Sequence, residues 1–329
     1  MILVTGASGI VGSQILQQLL NRGERVRILM RSDTSVVIDR VLKDANAERD
    51  RIEWIQGDLL DPVSIRQAVE DCSVVYHCAA LVSFDQKKAL DMQLVNVKGT
   101  ANIVDRCLKY KVDTLCYLSS TAAIGDEKIN GKLNEESKWT TDKHRSAYSL
   151  SKRLAEFQVW RGREEGLNAV ILNPAVVIGS GNWGQSSTTI ITSCKKGMLF
   201  YPPGGNGFVS ASDVAKFAIA SVEQKRFDGQ YLLVSENLSF KSLFTLITKK
   251  FGSQQPKIKV PNYLLRMAKG VIKFVESLGL NIFFISSENI SSAKRTVVYS
   301  NERARDTGFI FQSIEEAVHN SVTQYLDQH

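Results

Sequence analysis

Short runs rich in β-branched and aliphatic residues alternate with longer stretches whose apolar positions recur every three to four residues through the first half of the chain. The runs Met1–Thr5, Arg25–Met30, Arg51–Gln56, Ser73–Cys78, Thr114–Ser119 and Asn168–Asn173 predict six strands. The helical period predicts helices at Ile10–Asn21, Val36–Ala47, Pro62–Glu70, Gln86–Lys109 and Asp142–Glu165. Strand–helix alternation of this kind predicts an α/β fold, a doubly wound parallel sheet with helices on both faces. After Pro174 the texture changes: Gly179–Gly184 is a glycine-rich loop and Tyr201–Gly207 a turn. Phe208–Ala211 then predicts a strand, Asp213–Glu223 a helix, and Gln230–Val234 a last strand returning to the sheet. We therefore expect residues 1–173 and 208–235 to form the sheet domain. Residues 174–207 and 236–329 are expected to form a smaller, mainly helical substrate lobe.

The first strand runs into Gly6-Ala7-Ser8-Gly9-Ile10-Val11-Gly12 and then a helix. Gly6 suits a sharp turn, Gly9 a close approach of main chain to a pyrophosphate, and Gly12 tight packing of helix on strand. Free N–H groups at a helix start favour a phosphate. The spacing is G-x-x-G-x-x-G rather than G-x-G-x-x-G. Its place between a first strand and a first helix makes it a dinucleotide site of the Rossmann type. Where strand two ends, Ile28-Leu29-Met30-Arg31-Ser32 offers no carboxylate for a ribose, and Arg31 is suited to a 2′-phosphate, favouring NADP(H) over NAD(H). Asp33 could oppose that by a shift of register. Asp58, after strand three, can accept an adenine amino group or cap the next helix. Ala79 and Ala80, after strand four, are small enough for a cofactor to lie against the backbone. His77 reads as structural.

Tyr148 and Lys152 are four apart in a predicted helix, hence on one face, and a lysine cation there lowers a phenol's pKa. A tyrosine so tuned can exchange a proton with a carbonyl oxygen as hydride moves. Ser119 and Ser120 close strand five, where such sheets bind ligands; Ser120 can hold the substrate oxygen, although both serines could equally be turn caps.

At these residues the chain resembles the extended short-chain dehydrogenase/reductases. The resemblance runs through TGASGIVG (5–12), GDL (57–59), HCAA (77–80), VNVKGT (95–100), LSS (118–120), YSLSK (148–152), NPAVVIG (173–179) and VSASDVA (209–215). Within that branch it is most similar to the dihydroflavonol 4-reductase and 3β-hydroxysteroid dehydrogenase group. The resemblance implies a Ser120, Tyr148, Lys152 triad and hydride transfer at nicotinamide C4. It also implies cofactor contacts at Ser8, Ile10, Val11, Leu59 and Ser119, a nicotinamide backed by Pro174, Val176 and Val177, and a C-terminal lobe that selects substrate. Relatives often dimerise through helices like Gln86–Lys109 and Asp142–Glu165, so a homodimer is a further expectation. Thr121-Ala122-Ala123 lacks the Asp-Glu pair of nucleotide-sugar dehydratases. A carbonyl reductase acting on a small molecule is the first reading. A nucleotide-sugar epimerase with tightly bound NAD and a dinucleotide sensor without turnover are the alternatives.

Composition alters this picture little. Of 329 residues 43% are hydrophobic and 23% charged, as in an ordinary globular protein. Five cysteines without a C-x-x-C pair suggest neither a disulfide framework nor a metal site. With an N-terminus that opens on a strand and no long apolar run, they point to the cytoplasm. The net charge of +7 is concentrated in residues 241–310, with 12 basic and 4 acidic side chains. A solvated surface explains that, as does an anionic substrate or membrane surface; no nucleic-acid motif accompanies it. Asn262–Leu280 is amphipathic and basic, which suits a core-capping helix or one lying on a membrane.

Overall fold

The computed structural model describes residues 1–32, 35–83, 85–140, 145–265, 267 and 293–329. The apolar runs form β1 (Ile2–Thr5), β2 (Val26–Met30), β3 (Ile52–Gln56), β4 (Val74–His77), β5 (Thr114–Leu118), β6 (Ala169–Pro174) and, later, β10 (Gln230–Leu233). All seven pair in parallel in the order β10-β6-β5-β4-β1-β2-β3. The order reverses at β1, which lies between β2 and β4 and so forms the switch point of a Rossmann-type sheet.

Strand side chains alternate between faces, and that period sorts the sheet into two cores. Leu3, Leu29, Val75, Leu115 and Ile171 point to one face, where α3 (Pro62–Val69), α5 (Gly99–Lys109) and α6 (Ala147–Glu164) bury Ile65, Ile103, Val104 and Val159. Val4, Ile28, Tyr76, Cys116 and Leu172 point to the other. There α1 (Ile10–Asn21), α2 (Val36–Asp44) and α8 (Ala211–Glu223) bury Ile15, Leu16, Ile38, Val41, Val214 and Phe217.

A third core joins β7 (Val176–Ile178), α7 (Thr188–Cys194), β9 (Gly205–Ser210), α9 (Phe240–Phe251) and α11 (Ile314–Leu326) through Ile178, Ile191, Phe208, Leu243, Ile247 and Val318. The strand expected at Phe208–Ala211 is β9. It lies outside the large sheet, between β7 and β11 (Glu236–Ser239). Beside this core, β8 (Phe200–Tyr201) pairs with β12 (Ile258–Lys259) inside what the sequence suggests is a turn, and α10 (Glu302–Asp306) follows.

The helix expected at Gln86–Lys109 is broken into a 3-10 turn (Gln86–Lys88), α4 (Ala89–Met92), a π-helical stretch (Gln93–Lys98) and α5. Asn96 lies in the π stretch and explains it: its amide clasps both Leu81 N (2.7 Å) and Leu81 O (2.9 Å), which fixes an inserted residue facing the loop after β4. Helix α6 begins at Ala147, where Ser146 caps it by accepting from Ser149 N; residues 142–144, assigned to this helix from sequence, lie outside the described residues. Most of Asn262–Leu280 does as well. No helix among the described residues is long and apolar enough to cross a membrane.

Candidate active site

The candidate residues share one edge of the sheet because each follows the carboxyl end of a parallel strand. Gly6 follows β1, Arg31 β2, Asp58 β3, Ala79 and Ala80 β4, and Ser119 and Ser120 β5, while Pro174 ends β6. Gly6 turns the chain at φ +68°, which side chains disfavour, and a Cβ there would lie 2.6 Å from Ala79 N. A Cβ on Gly12 would lie 2.2 Å from the Gly6 carbonyl oxygen, so both glycines are required by contact. Gly9 is the exposed N-cap of α1 and has no side-chain cap; Ser8 and Ile10 flank it half-buried, while Val11 is anchored in the core. The first N–H groups of a helix have no intrahelical acceptor, so this turn offers an anion an uncapped, positive helix end.

Arg31 is exposed, and its guanidinium makes no hydrogen bond or ion pair among the described residues. Asp33 lies outside them. The helix-cap role that sequence leaves open for Asp58 is filled by Asp61, which accepts from Val63 N (3.0 Å) and Ser64 N (3.1 Å). Asp58 instead turns the loop, accepting from Leu60 N at 2.9 Å. Leu59 is buried under Gly99, and its carbonyl takes a bond from Asn102. Val176 and Val177, in β7, are half-buried beyond Pro174.

Tyr148 stands half-buried in the first turn of α6, and Ser120 is the polar side chain that bears on its phenol. The Ser120 hydroxyl also accepts from Ala122 N (3.1 Å), so it caps the turn at Thr121–Ala123 as well. Burial pushes the Tyr148 phenol up, and the Ser120 hydroxyl opposes this. The net direction is upward, opposite to the lowering that the four-residue spacing predicts. Lys152 is buried, 1% exposed; its amine donates to Leu118 O at 2.7 Å and lies over the Tyr117 ring at 4.5 Å. Burial brings that amine down to about 8, against the opposing pull of Glu156 and Cys78. Ser119, expected at the cofactor, turns its hydroxyl inward to Glu156 at 2.5 Å, which leaves only its backbone for a ligand. His77 is sealed in the interior, bonded to Thr5 Oγ1 (2.8 Å) and Thr100 Oγ1 (3.0 Å).

Three polar residues that sequence reasoning passed over support these groups. Asn96 donates to Ser151 Oγ, whose hydroxyl bonds Tyr148 O. Asn173 donates to Ser120 O (3.0 Å) and to Glu156 Oε1 (2.6 Å). Glu156 repeats the four-residue spacing of Tyr148 and Lys152, and a carboxylate on that apolar face was the available signal.

The NAD dependent epimerase/dehydratase family model matches residues 2–232. The chain belongs to this family. It is an oxidoreductase of the extended short-chain dehydrogenase/reductase type. It is similar to Sterol demethylase protein B of Methylococcus capsulatus, at 26% identity over 99% of this chain and 98% of the relative. A putative dihydroflavonol 4-reductase of Synechocystis sp. is 27% identical over 97% of this chain and 92% of its own length. Among solved structures, that of gox2253 superposes with a TM-score of 0.82 at 27% identity, covering 100% of this chain and 98% of the other.

Proposed function

We propose that the chain is an NADPH-preferring reductase of a ketone or aldehyde, with Tyr148 giving a proton to the carbonyl oxygen, Ser120 holding that oxygen, and Lys152 beneath them. The observation that carries this reading is that Ser120 bears on the Tyr148 phenol at the sheet edge that also bears the glycine turn. The donor set there fits a dinucleotide: an uncapped helix end for the pyrophosphate, a cation at Arg31 for a 2′-phosphate, Asp58 for the adenine, and small residues at Ala79 and Ala80. Pro174, Val176 and Val177 would back the nicotinamide. When bound, that ring supplies a hydride to the substrate carbon.

The protein's part is to place and protonate the oxygen. A phenol pushed up by burial stays protonated across neutral pH, which suits a donor in the reductive direction. Ser120 can donate a second hydrogen bond to the same oxygen and stabilise its developing charge. The buried cation of Lys152, within the same helix, favours negative charge above it. The dihydroflavonol 4-reductase relative supports reduction over epimerisation, as does the run Ile28–Ser32, which closes β2 with Arg31 and carries no acid.

Fluorescence titration of the purified protein with NADPH and NADH is the first test. Preference for NADPH with no cofactor carried through purification supports the reading. Tightly retained NAD turns it toward an epimerase. Tyr148→Phe should then lower turnover of a carbonyl substrate at least about 100-fold while leaving cofactor affinity unchanged. Undiminished turnover removes Tyr148 from the chemistry.

A further inference from the structure

Helix α6 carries Tyr148, Lys152 and Glu156 at successive intervals of four, so the three rise along one face toward the sheet interior. Glu156 is fully buried. Its Oε1 accepts from the Ser119 hydroxyl at 2.5 Å and from the Asn173 amide at 2.6 Å, which are residues from the ends of β5 and β6. The same Asn173 amide donates to Ser120 O, and Lys152 donates to Leu118 O. Leu118, Ser119 and Ser120, three consecutive residues, are thus each held by α6 or by a residue α6 holds.

We propose that Glu156 is a positioning residue: it clasps the ends of β5 and β6 to α6 and supplies the negative charge that keeps the buried Lys152 amine a cation. Its value to catalysis rests on the carbonyl-reductase reading; the clasp and the charge do not.

Donors from three residues face the carboxylate. Ser119, Asn173 and the Arg153 guanidinium, 3.4 Å from Oε2, all present donors to it. Burial pushes the carboxyl up, and these three groups with Lys152 pull it back. Around the Lys152 amine stand His77 and Cys78 from the end of β4, Tyr117 from β5, and Glu156 from α6. His77 stays neutral because burial and Lys152 both lower it to about 3, and burial raises the Cys78 thiol to about 12. With His77 and the Cys78 thiol both neutral, Glu156 is the group whose ionised form can balance the Lys152 cation. A carboxylate one turn away in a buried site acts on the amine more strongly than the same pair would in solvent.

Glu156→Gln separates charge from clasp, because the amide oxygen still accepts from Ser119 and Asn173. The full chain is labelled with [ε-13C]lysine, and the resonance missing from Lys152→Met is titrated without cofactor or substrate. In the parent protein its midpoint should lie near 8. In Glu156→Gln it should fall by at least about one pH unit, while the melting curve stays cooperative. A midpoint that does not move overturns the proposal, since a purely structural clasp would leave it in place. Should Glu156→Gln not fold, the carboxyl signal of [δ-13C]glutamate in the parent protein, assigned by its loss in Glu156→Asp, decides. An ionised carboxylate at pH 7 supports the proposal, and a protonated one overturns it. Neither readout needs turnover. Failure of the reductase reading, seen as absent nicotinamide binding, is thereby distinguished from failure of this one.

Discussion

The proposed preference for NADPH rests on a single side chain. The guanidinium of Arg31 is exposed and uncommitted among the described residues, so a 2′-phosphate would not have to displace an internal partner. A charge-assisted contact of this kind contributes about 1.5–3 kcal/mol. Arg31→Ala should therefore weaken NADPH at least about tenfold and leave NADH within about twofold, read by fluorescence titration at fixed ionic strength. Equal loss for both cofactors would mean that Arg31 acts through the loop rather than the phosphate. At the same scale Tyr148 and Lys152 correct a simple expectation. Four-residue spacing suggests a lysine that lowers its tyrosine. Burial instead moves the phenol up and the amine down, so each approaches its neutral form.

The element that tolerates least change is the turn from β1 into α1. Gly12 faces the Gly6 carbonyl so closely that an alanine methyl would overlap it, and that oxygen is also the acceptor for Gly9 N at 2.9 Å. Gly12→Ala should push α1 off the turn, lower the melting temperature by several degrees and abolish dinucleotide binding. Unchanged binding would show that the turn relaxes without losing its anion cradle. Elements were legible in the chain wherever one period ran unbroken. All seven parallel strands announce themselves as short apolar runs, and Ile10–Asn21 is a helix to the residue. The Gln86–Lys109 stretch hid its break because Asn96 acts through Leu81, 15 residues away, and no local period records a tertiary clasp. Ser119 and Glu156 escaped for the same reason. Two adjacent serines look alike in sequence, and only the strand's alternation sends one hydroxyl inward to Glu156 and the other out to Tyr148.

At the scale of the whole molecule, a sheet that gathers six strand ends at one site also gathers buried titratable groups, and this makes stability depend on pH. His77 is fully enclosed, with both ring nitrogens bonded to threonine hydroxyls, and burial together with the Lys152 cation lowers it to about 3 from an ordinary 6.5. The unfolded chain binds a proton at this imidazole below about 6.5, and the folded chain does not until far lower pH. Acid therefore favours unfolding through this group, and the stability lost grows as pH falls from about 6.5 toward 3. Over the accessible interval from pH 6.5 to 4 the share of His77 is about 3 kcal/mol. Buried carboxylates raised by desolvation, such as Asp213, act in the opposite sense, so the total slope alone does not isolate the histidine. Replacement does. His77→Gln should be less stable at pH 7, because a fitted ring is lost, yet its urea midpoint should decline less steeply between pH 6.5 and 4 than that of the parent. The two curves should converge on acidification. Curves that stay parallel would mean that the imidazole is protonated in the folded protein, and the charge balance around Lys152 would then have to include a second cation.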